Sequence, residues 1–104
     1  MSNEDFTISE EMDGETIKFF LKGRITSLNA NALQYKLDEA FTRGQTKIVL
    51  NMVQFAFMSS AGIRVLLMYF KKAKAAGGSF FVESPSENVV NVLGMTALDE
   101  MLLK

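Results

Sequence analysis

Two hydrophobic periods alternate along this chain, and the alternation constrains its fold more than any other feature. Apolar residues recur at spacings of three and four from Asn29 to Arg43 and from Ser60 to Ala76, which predicts two amphipathic helices. The short apolar runs Lys47 to Met52 and Ser79 to Val82 are typical of buried strands. Strand–helix–strand order favours parallel pairing through right-handed crossovers.

The two ends of the chain add a hairpin and further helical segments. Asp13-Gly14 separates the β-biased runs Asp5 to Glu11 and Thr16 to Leu21, and Asp-Gly between such runs is a strong hairpin signal. A third, short helix is expected from Ser86, and a last helical turn or two from Ala97 to Leu103. The predicted fold class is α/β: a small mixed sheet of about four strands with helices packed on it, in the order β-β-α-β-α-β-α-α.

Composition narrows the function classes. The 104 residues suit a single domain over positions 1–104, and without Cys or His the chain lacks thiolate and imidazole metal ligands and the commonest general base. We therefore expect no metal and no cofactor. The net charge is −1 with the two signs interleaved, which argues against direct nucleic-acid binding. No apolar run approaches the roughly 20 residues of a membrane helix, and the acidic N-terminus is no signal peptide, so we expect a cytoplasmic protein without membrane contact.

Two adjacent serines, Ser59 and Ser60, stand where the second helix begins. Either could simply cap the helix, or the free N–H groups and positive dipole end could favour a phosphate on one of them. Arg64 follows Ser60 by four residues and so shares its helix face, with Met68 and the following lysines continuing the stripe. That stripe is open to two interpretations, a binding surface or an ordinary solvated face.

Enzyme hypotheses have less support. A Gly-x-Ser-x-Gly nucleophile elbow is absent, because Met58 and Gly62 flank Ser60, and there is no His to act as base. A Ser–Lys dyad is left as an alternative that sequence neither builds nor excludes. We therefore expect no catalytic residues and a protein that is not an enzyme.

The same residues resemble a known family, the STAS domain, in its anti-sigma factor antagonist type. The most specific match is the block Ser-Ser-Ala-Gly-Ile-Arg at positions 59–64. The other matching stretches are Gly23-Arg24-Ile25 leading to Asn31-Ala32-Leu33, Ile48-Val49-Leu50-Asn51, Gly77-Gly78, Ser84-Pro85 and Val92-Leu93-Gly94. Together they run from near residue 15 to near residue 98.

The resemblance implies a phosphorylation-controlled partner switch. Unphosphorylated members of the family bind an anti-sigma factor, a serine kinase of the histidine-kinase-like ATPase type, and so free a sigma factor to act in transcription. The kinase phosphorylates a serine at the start of the helix after the third strand, which breaks the complex, and a serine phosphatase restores it. Alignment on Gly62 makes Ser60 the phosphoacceptor, with Ser59 as the second choice.

A partner surface follows from the same alignment. Its expected residues are Arg24, Thr26, Asn51, Met58, Ser59, Ala61, Gly62 and Arg64. Ser59 replaces the acidic residue that usually precedes the phosphoacceptor, and Asn51 stands where Asp is common at the third strand's end. The alternative function is a constitutive STAS scaffold, or a subunit of a larger signalling or transport assembly, that is never phosphorylated.

Overall fold

The structure is a computed structural model, and it describes residues 6–84 together with Glu87, Val90 and Asn91. Its elements in chain order are β1 (Phe6–Asp13), β2 (Thr16–Ile25), α1 (Ala30–Thr42), β3 (Lys47–Met58), α2 (Ser60–Ala75) and β4 (Ser79–Glu83). They form one four-stranded sheet in the order β1-β2-β3-β4. The β1–β2 pair is antiparallel and the β2–β3 and β3–β4 pairs are parallel, which confirms the predicted mixed sheet.

The N-terminal hairpin closes where the Asp-Gly signal predicts. Asp13 pairs with Thr16, so Gly14 and Glu15 form the loop, and Gly14 has φ +65°. A backbone in this left-handed region is accessible to glycine at little steric cost. Of the third helix expected from Ser86, the described residues Glu87, Val90 and Asn91 are helical. The turns expected from Ala97 to Leu103 lie outside the described residues.

Both long helices cover the same face of the sheet. The two crossovers step in the same direction from β2 to β3 to β4, and α1 packs against α2. Alternate strand residues, such as Ile17 and Phe19 on β2 or Ile48 and Leu50 on β3, point into the layer between sheet and helices and are fully buried. Their neighbours Lys18, Phe20 and Lys22 therefore face the other side of the sheet.

The third strand is longer than predicted. The sequence suggests an end at Met52 and a loop from Phe55, whereas β3 continues to Met58 beside β2. Two irregularities in the β2–β3 register, opposite Phe20 to Lys22 and opposite Gly23 to Arg24, each place an extra residue on β3. Such bulges interrupt the period-two alternation, and for that reason the pattern hid the second half of the strand.

Candidate functional site

The site is built where β2 and β3 end and α2 begins. Met58, the last residue of β3, pairs with Ile25, the last residue of β2. Ser59 then donates its backbone N–H to the carbonyl oxygen of Ile25 (N to O, 2.9 Å) and accepts one from Ile63 (3.1 Å). One extended residue thus joins strand to helix, with both backbone groups of Ser59 occupied. This anchoring fixes the position of Ser60.

The two adjacent serines have different surroundings. Ser59 is the N-cap residue of α2, but its hydroxyl makes no capping hydrogen bond. Its Oγ is buried without a hydrogen-bond partner. Ser60, the first helical residue, is exposed to solvent. A macromolecule approaching this end of the helix therefore meets the Ser60 hydroxyl and not that of Ser59.

Below the two serines, Met58 and Gly62 form a tightly packed layer, the floor of the site. Met58 is 1% exposed and Gly62 is buried. A Cβ on Gly62 would stand 2.6 Å from Met58 Cγ and 3.0 Å from Ile25 Cγ2, so glycine is needed here for a close approach. Met58 and Gly62, both expected on the partner surface, are therefore buried beneath the exposed serine, and their part in partner binding stays a prediction. Ala61 is partly buried against the same core.

The exposed stripe on α2 runs as the helical period predicts. Ser60, Arg64 and Met68 are exposed at successive four-residue steps, while Ile63 and Leu66 on the opposite face are buried. The first turn of α2 contains no acidic residue. Anions are favoured at a helix N-terminus by its free N–H groups and dipole, so this end is electropositive and without its own counter-charge.

Arg24 and Thr26 flank the site on the β2 side. The Arg24 guanidinium lies over the ring of Phe57, its neighbour on β3, at 5.2 Å from the ring centroid. Thr26 is half-buried, and its backbone N–H donates to Asn29 Oδ1 (2.8 Å) while its Oγ1 accepts from the N–H of Leu28 (3.1 Å). Asn29 Nδ2 also donates to the Arg24 carbonyl (3.0 Å), so this turn is held by its own side chains.

Asn51 does not join the site. It lies seven residues before Met58, which places it about 20 Å away along the strand at 3.2–3.4 Å per residue. Its Nδ2 donates to Glu83 Oε2 (2.6 Å) and its Oδ1 accepts from the N–H of Val53 (3.1 Å). Asn51, which the resemblance implied as a partner contact, therefore lies away from Ser60, and its part in partner binding stays a prediction. An aspartate here would bring a second carboxylate against Glu83.

Sequence analysis missed Lys22 and Phe57, which share the sheet face with Arg24. The sequence feature that could have indicated them is the placement of the acidic residues. Between Glu15 and Glu83, only Asp38 and Glu39 are acidic. Asp38 contacts Tyr69 and Lys72, and Glu39 pairs with Lys36, all away from Ser60. The two signs of charge are interleaved over the whole chain but not at this end of the molecule.

The described part of the chain gives no support for a Ser–Lys dyad, a metal site or a membrane-spanning helix. No lysine there hydrogen-bonds to Ser59 or Ser60. Among the same residues, no cluster of His, Cys, Asp or Glu could hold a metal ion. None of the helices within 6–84 is long and apolar enough to cross a membrane.

Comparison with known proteins matches the STAS domain family model over residues 7–104. The chain belongs to the STAS domain family. Among curated relatives, it is 32% identical over 69 residues to the putative anti-sigma factor antagonist BtrV of Bordetella bronchiseptica. That alignment covers 66% of this chain and 59% of the relative, so the match spans about three-fifths of the relative's length. The likeness within the family is thus to anti-sigma factor antagonists, as the resemblance implied.

Solved structures of STAS proteins share the fold. An anti-sigma factor antagonist from Mycobacterium paratuberculosis superposes with a TM-score of 0.86 at 19% identity, covering 98% of this chain and 87% of the other. The Bacillus cell fate determinant SpoIIAA matches in its unphosphorylated form with a TM-score of 0.75 at 22% identity, over 94% of this chain and 87% of SpoIIAA. Its phosphorylated form matches with a TM-score of 0.76 at 23% identity, over 92% and 88%.

Proposed function

We propose that this STAS protein is an anti-sigma factor antagonist that works by partner switching. Unphosphorylated, it binds an anti-sigma factor that is also a serine kinase of the histidine-kinase-like ATPase type, and phosphorylation of Ser60 releases that partner. A serine phosphatase then restores binding. The observation that carries the assignment of Ser60 is its exposure at the first position of α2, next to a buried Ser59 hydroxyl. The protein acts by binding rather than as an enzyme, in the cytoplasm.

The surroundings of Ser60 suit a phosphate. A phosphoserine adds a charge of about −1.5 to −2 at pH 7, and at a helix N-terminus that charge meets unpaired N–H groups. No carboxylate stands in the first turn to oppose it, and Arg64 lies on the same helix face one turn later. The modification is therefore accommodated by the folded domain.

The anchoring of α2 implies that such a switch acts on the surface. The helix start is tied to β2 through the Ser59–Ile25 hydrogen bond and packed over Gly62. A charge added outside these contacts changes what a partner meets and leaves the sheet and helices in place. The similar TM-scores to the two forms of SpoIIAA support this view, because the fold matches both equally well.

Mass spectrometry on protein taken from its own host tests the proposal. The tryptic peptide Ile48 to Arg64 contains Ser59 and Ser60 and no other hydroxyl side chain. We expect a phosphate localised to Ser60. An unmodified peptide across growth and stress conditions would favour the constitutive scaffold instead, and phosphate on Ser59 alone would contradict the assignment.

Binding assays against the host's anti-sigma factors complete the test. We expect the unmodified chain and Ser60→Ala to bind one of them and Ser60→Asp to lose it, with Ser9→Asp as a control at another exposed serine, on β1. Equal binding by Ser60→Asp and the unmodified chain would contradict the switch. Covalent labelling by a fluorophosphonate that disappears in Ser60→Ala would instead indicate the hydrolase alternative.

A further inference from the structure

Three exposed cations, two on β2 and one on α2, have no acidic partner among the described residues. Lys22, Arg24 and Arg64 are exposed and form no ion pair within the part of the chain that the structure describes. In that part of the chain, Lys18, Lys36, Arg43, Lys47 and Lys72 each pair with a carboxylate, and the remaining cations without an ion pair are Lys71 and Lys74 near the C-terminal end of α2. We call Lys22, Arg24 and Arg64 the basic end.

The basic end includes residues of both the sheet and the helical layer. Lys22 and Arg24 alternate with buried residues of β2, so they stand on the sheet face opposite the helices. Arg64 stands on the exposed face of α2. Ile25, next to Arg24, pairs with Met58 within the sheet and accepts the N–H of Ser59, so the end of β2 adjoins the start of α2. The N-terminal dipole of α2 adds to the positive charge there.

Apolar surface lies beside these cations. β4 pairs with β3 only as far as Asn51, and Val53, just beyond it, is 69% exposed. Phe57 is half-buried, with the Arg24 guanidinium lying over its ring. Aromatic residues and arginine are the side chains that dominate protein–protein interfaces.

We propose that the basic end docks an acidic surface of a protein partner. Carboxylates of the partner would pair with Lys22, Arg24 and Arg64, and separate apolar side chains would cover Val53 and Phe57. This inference rests on the proposed function and names the chemistry of the partner at that same site. Charge complementarity is the argument, since the chain as a whole is slightly acidic, with a net charge of −1, while this end has no carboxylate of its own in the described part.

A protein partner fits better than a nucleic acid. Tight phosphate-backbone binding typically draws on about 6–10 phosphate contacts, whereas the basic end offers three cations and one stacked, partly covered ring. The surface also combines its charges with exposed aliphatic area at Val53. Such a mixture suits a folded protein surface.

The proposal also explains why a phosphate at Ser60 would release the partner. A charge of about −1.5 to −2 offsets about half to two-thirds of the three positive charges and repels the incoming carboxylates nearest to it. The attraction is weakened without any movement of the backbone. The switch is then electrostatic, and its strength falls as salt is added.

Charge reversal in the full chain tests this inference against the anti-sigma factor identified by the binding assay above. We expect Lys22→Glu, Arg24→Glu and Arg64→Glu each to weaken binding at least about tenfold. The matched controls are Lys71→Glu and Lys74→Glu, which reverse two exposed cations without ion pairs near the other end of α2. Affinity that falls equally in both sets, or in neither, would overturn the inference while leaving the proposed function standing.

A second probe keeps the test independent of that partner. A hexaglutamate peptide titrated into the ¹⁵N-labelled chain should shift the amide signals of residues 22–24, 57 and 64 and leave those of residues 71–74 unchanged. The same titration with Glu4→Gln/Asp5→Gln removes the two acidic residues that precede β1 in the chain. Shifts centred on residues 71–74, or tighter binding of single-stranded DNA than of hexaglutamate, would overturn the inference even if no anti-sigma factor binds.

Discussion

The two ends of α2 differ in how far their polar groups are satisfied within the molecule. Toward its C-terminus, Tyr69 donates its hydroxyl to Asp38, and Lys72 pairs with the same carboxylate (3.5 Å) while lying over the rings of Phe41 and Tyr69. At its N-terminus, neither a hydrogen-bond partner for the Ser59 hydroxyl nor a carboxylate paired with Arg64 is found among the described residues. One end of the helix holds α1 in place, and the other leaves charge available for a partner.

This contrast separates stability from recognition along a single helix. Packing and ion pairs at the Tyr69 end fix the helix on its neighbours, so the Ser60 end does not need its exposed groups for folding. The predictions below test that separation, beginning with the largest expected effect.

Gly62 is the residue at which the N-terminal end of α2 depends on close packing for stability. Gly62→Val places methyl groups where even a Cβ would stand 2.6 Å from Met58 Cγ, and overpacking of this kind costs about 1–3 kcal/mol. Urea unfolding monitored by circular dichroism measures the loss. Ala75→Val, at an exposed helical position, is the control and should change the free energy of unfolding by less than about 0.5 kcal/mol. A fully stable Gly62→Val protein would show that the floor of the site is looser than described.

The Tyr69 hydroxyl should contribute to stability through Asp38. Tyr69→Phe removes a hydrogen bond to a charged group, so we expect the free energy of unfolding to fall by about 1–2 kcal/mol. Tyr35→Phe is the matched control, because Tyr35 is 66% exposed and no hydrogen bond of its hydroxyl is found in the described part. Partner binding at Ser60 should be unchanged in both variants. Equal stabilities for the two variants would contradict the role given to the Tyr69 end.

Alkaline pH should weaken the same contact. Burial, followed by the hydrogen bond and charge of Asp38, raises the pKa of Tyr69 well above its usual value. The folded state therefore holds the phenol proton more tightly than the unfolded state, whose tyrosine pKa is about 10. The resulting stability is complete well below pH 10 and is lost as pH rises toward the folded pKa, by about 1.4 kcal/mol at pH 11. Unfolding curves at pH 9 and 11 should show this loss in the natural chain and not in Tyr69→Phe.

The buried hydroxyl of Ser59 should be dispensable for folding. Ser59→Ala removes an unpaired buried polar atom, so stability should stay the same or rise by up to about 1 kcal/mol. Thr26→Val is the contrasting variant, because Thr26 Oγ1 accepts a hydrogen bond from Leu28 and its loss should lower stability slightly. Thermal unfolding of the two variants checks this, and a destabilised Ser59→Ala would mean that the hydroxyl is paired in solution.

The sequence predicts the fold and the site only where the local hydrophobic spacing is regular. The start of α2 at Ser60 follows from helical spacing, and the mixed sheet follows from the hairpin and two crossovers. The second half of β3 was not predicted because two bulges break its alternation, so the distance between Asn51 and Ser60 was not predicted either. The basic end was not predicted for another reason. Net charge was counted over the whole chain, and the positions of Asp38 and Glu39 become informative only when the fold is known to separate them from Ser60.

The measurement that tests the central claim most directly compares the chain carrying phosphoserine at position 60 with the unmodified chain. Both are titrated into the host anti-sigma factor that the unmodified chain binds, and both are unfolded in urea. We expect phosphorylation to weaken binding at least about a hundredfold, or roughly 2.7 kcal/mol, while the free energy of unfolding changes by less than about 1 kcal/mol. Unchanged affinity, or release accompanied by a collapse in stability, would contradict a switch that acts on the surface alone.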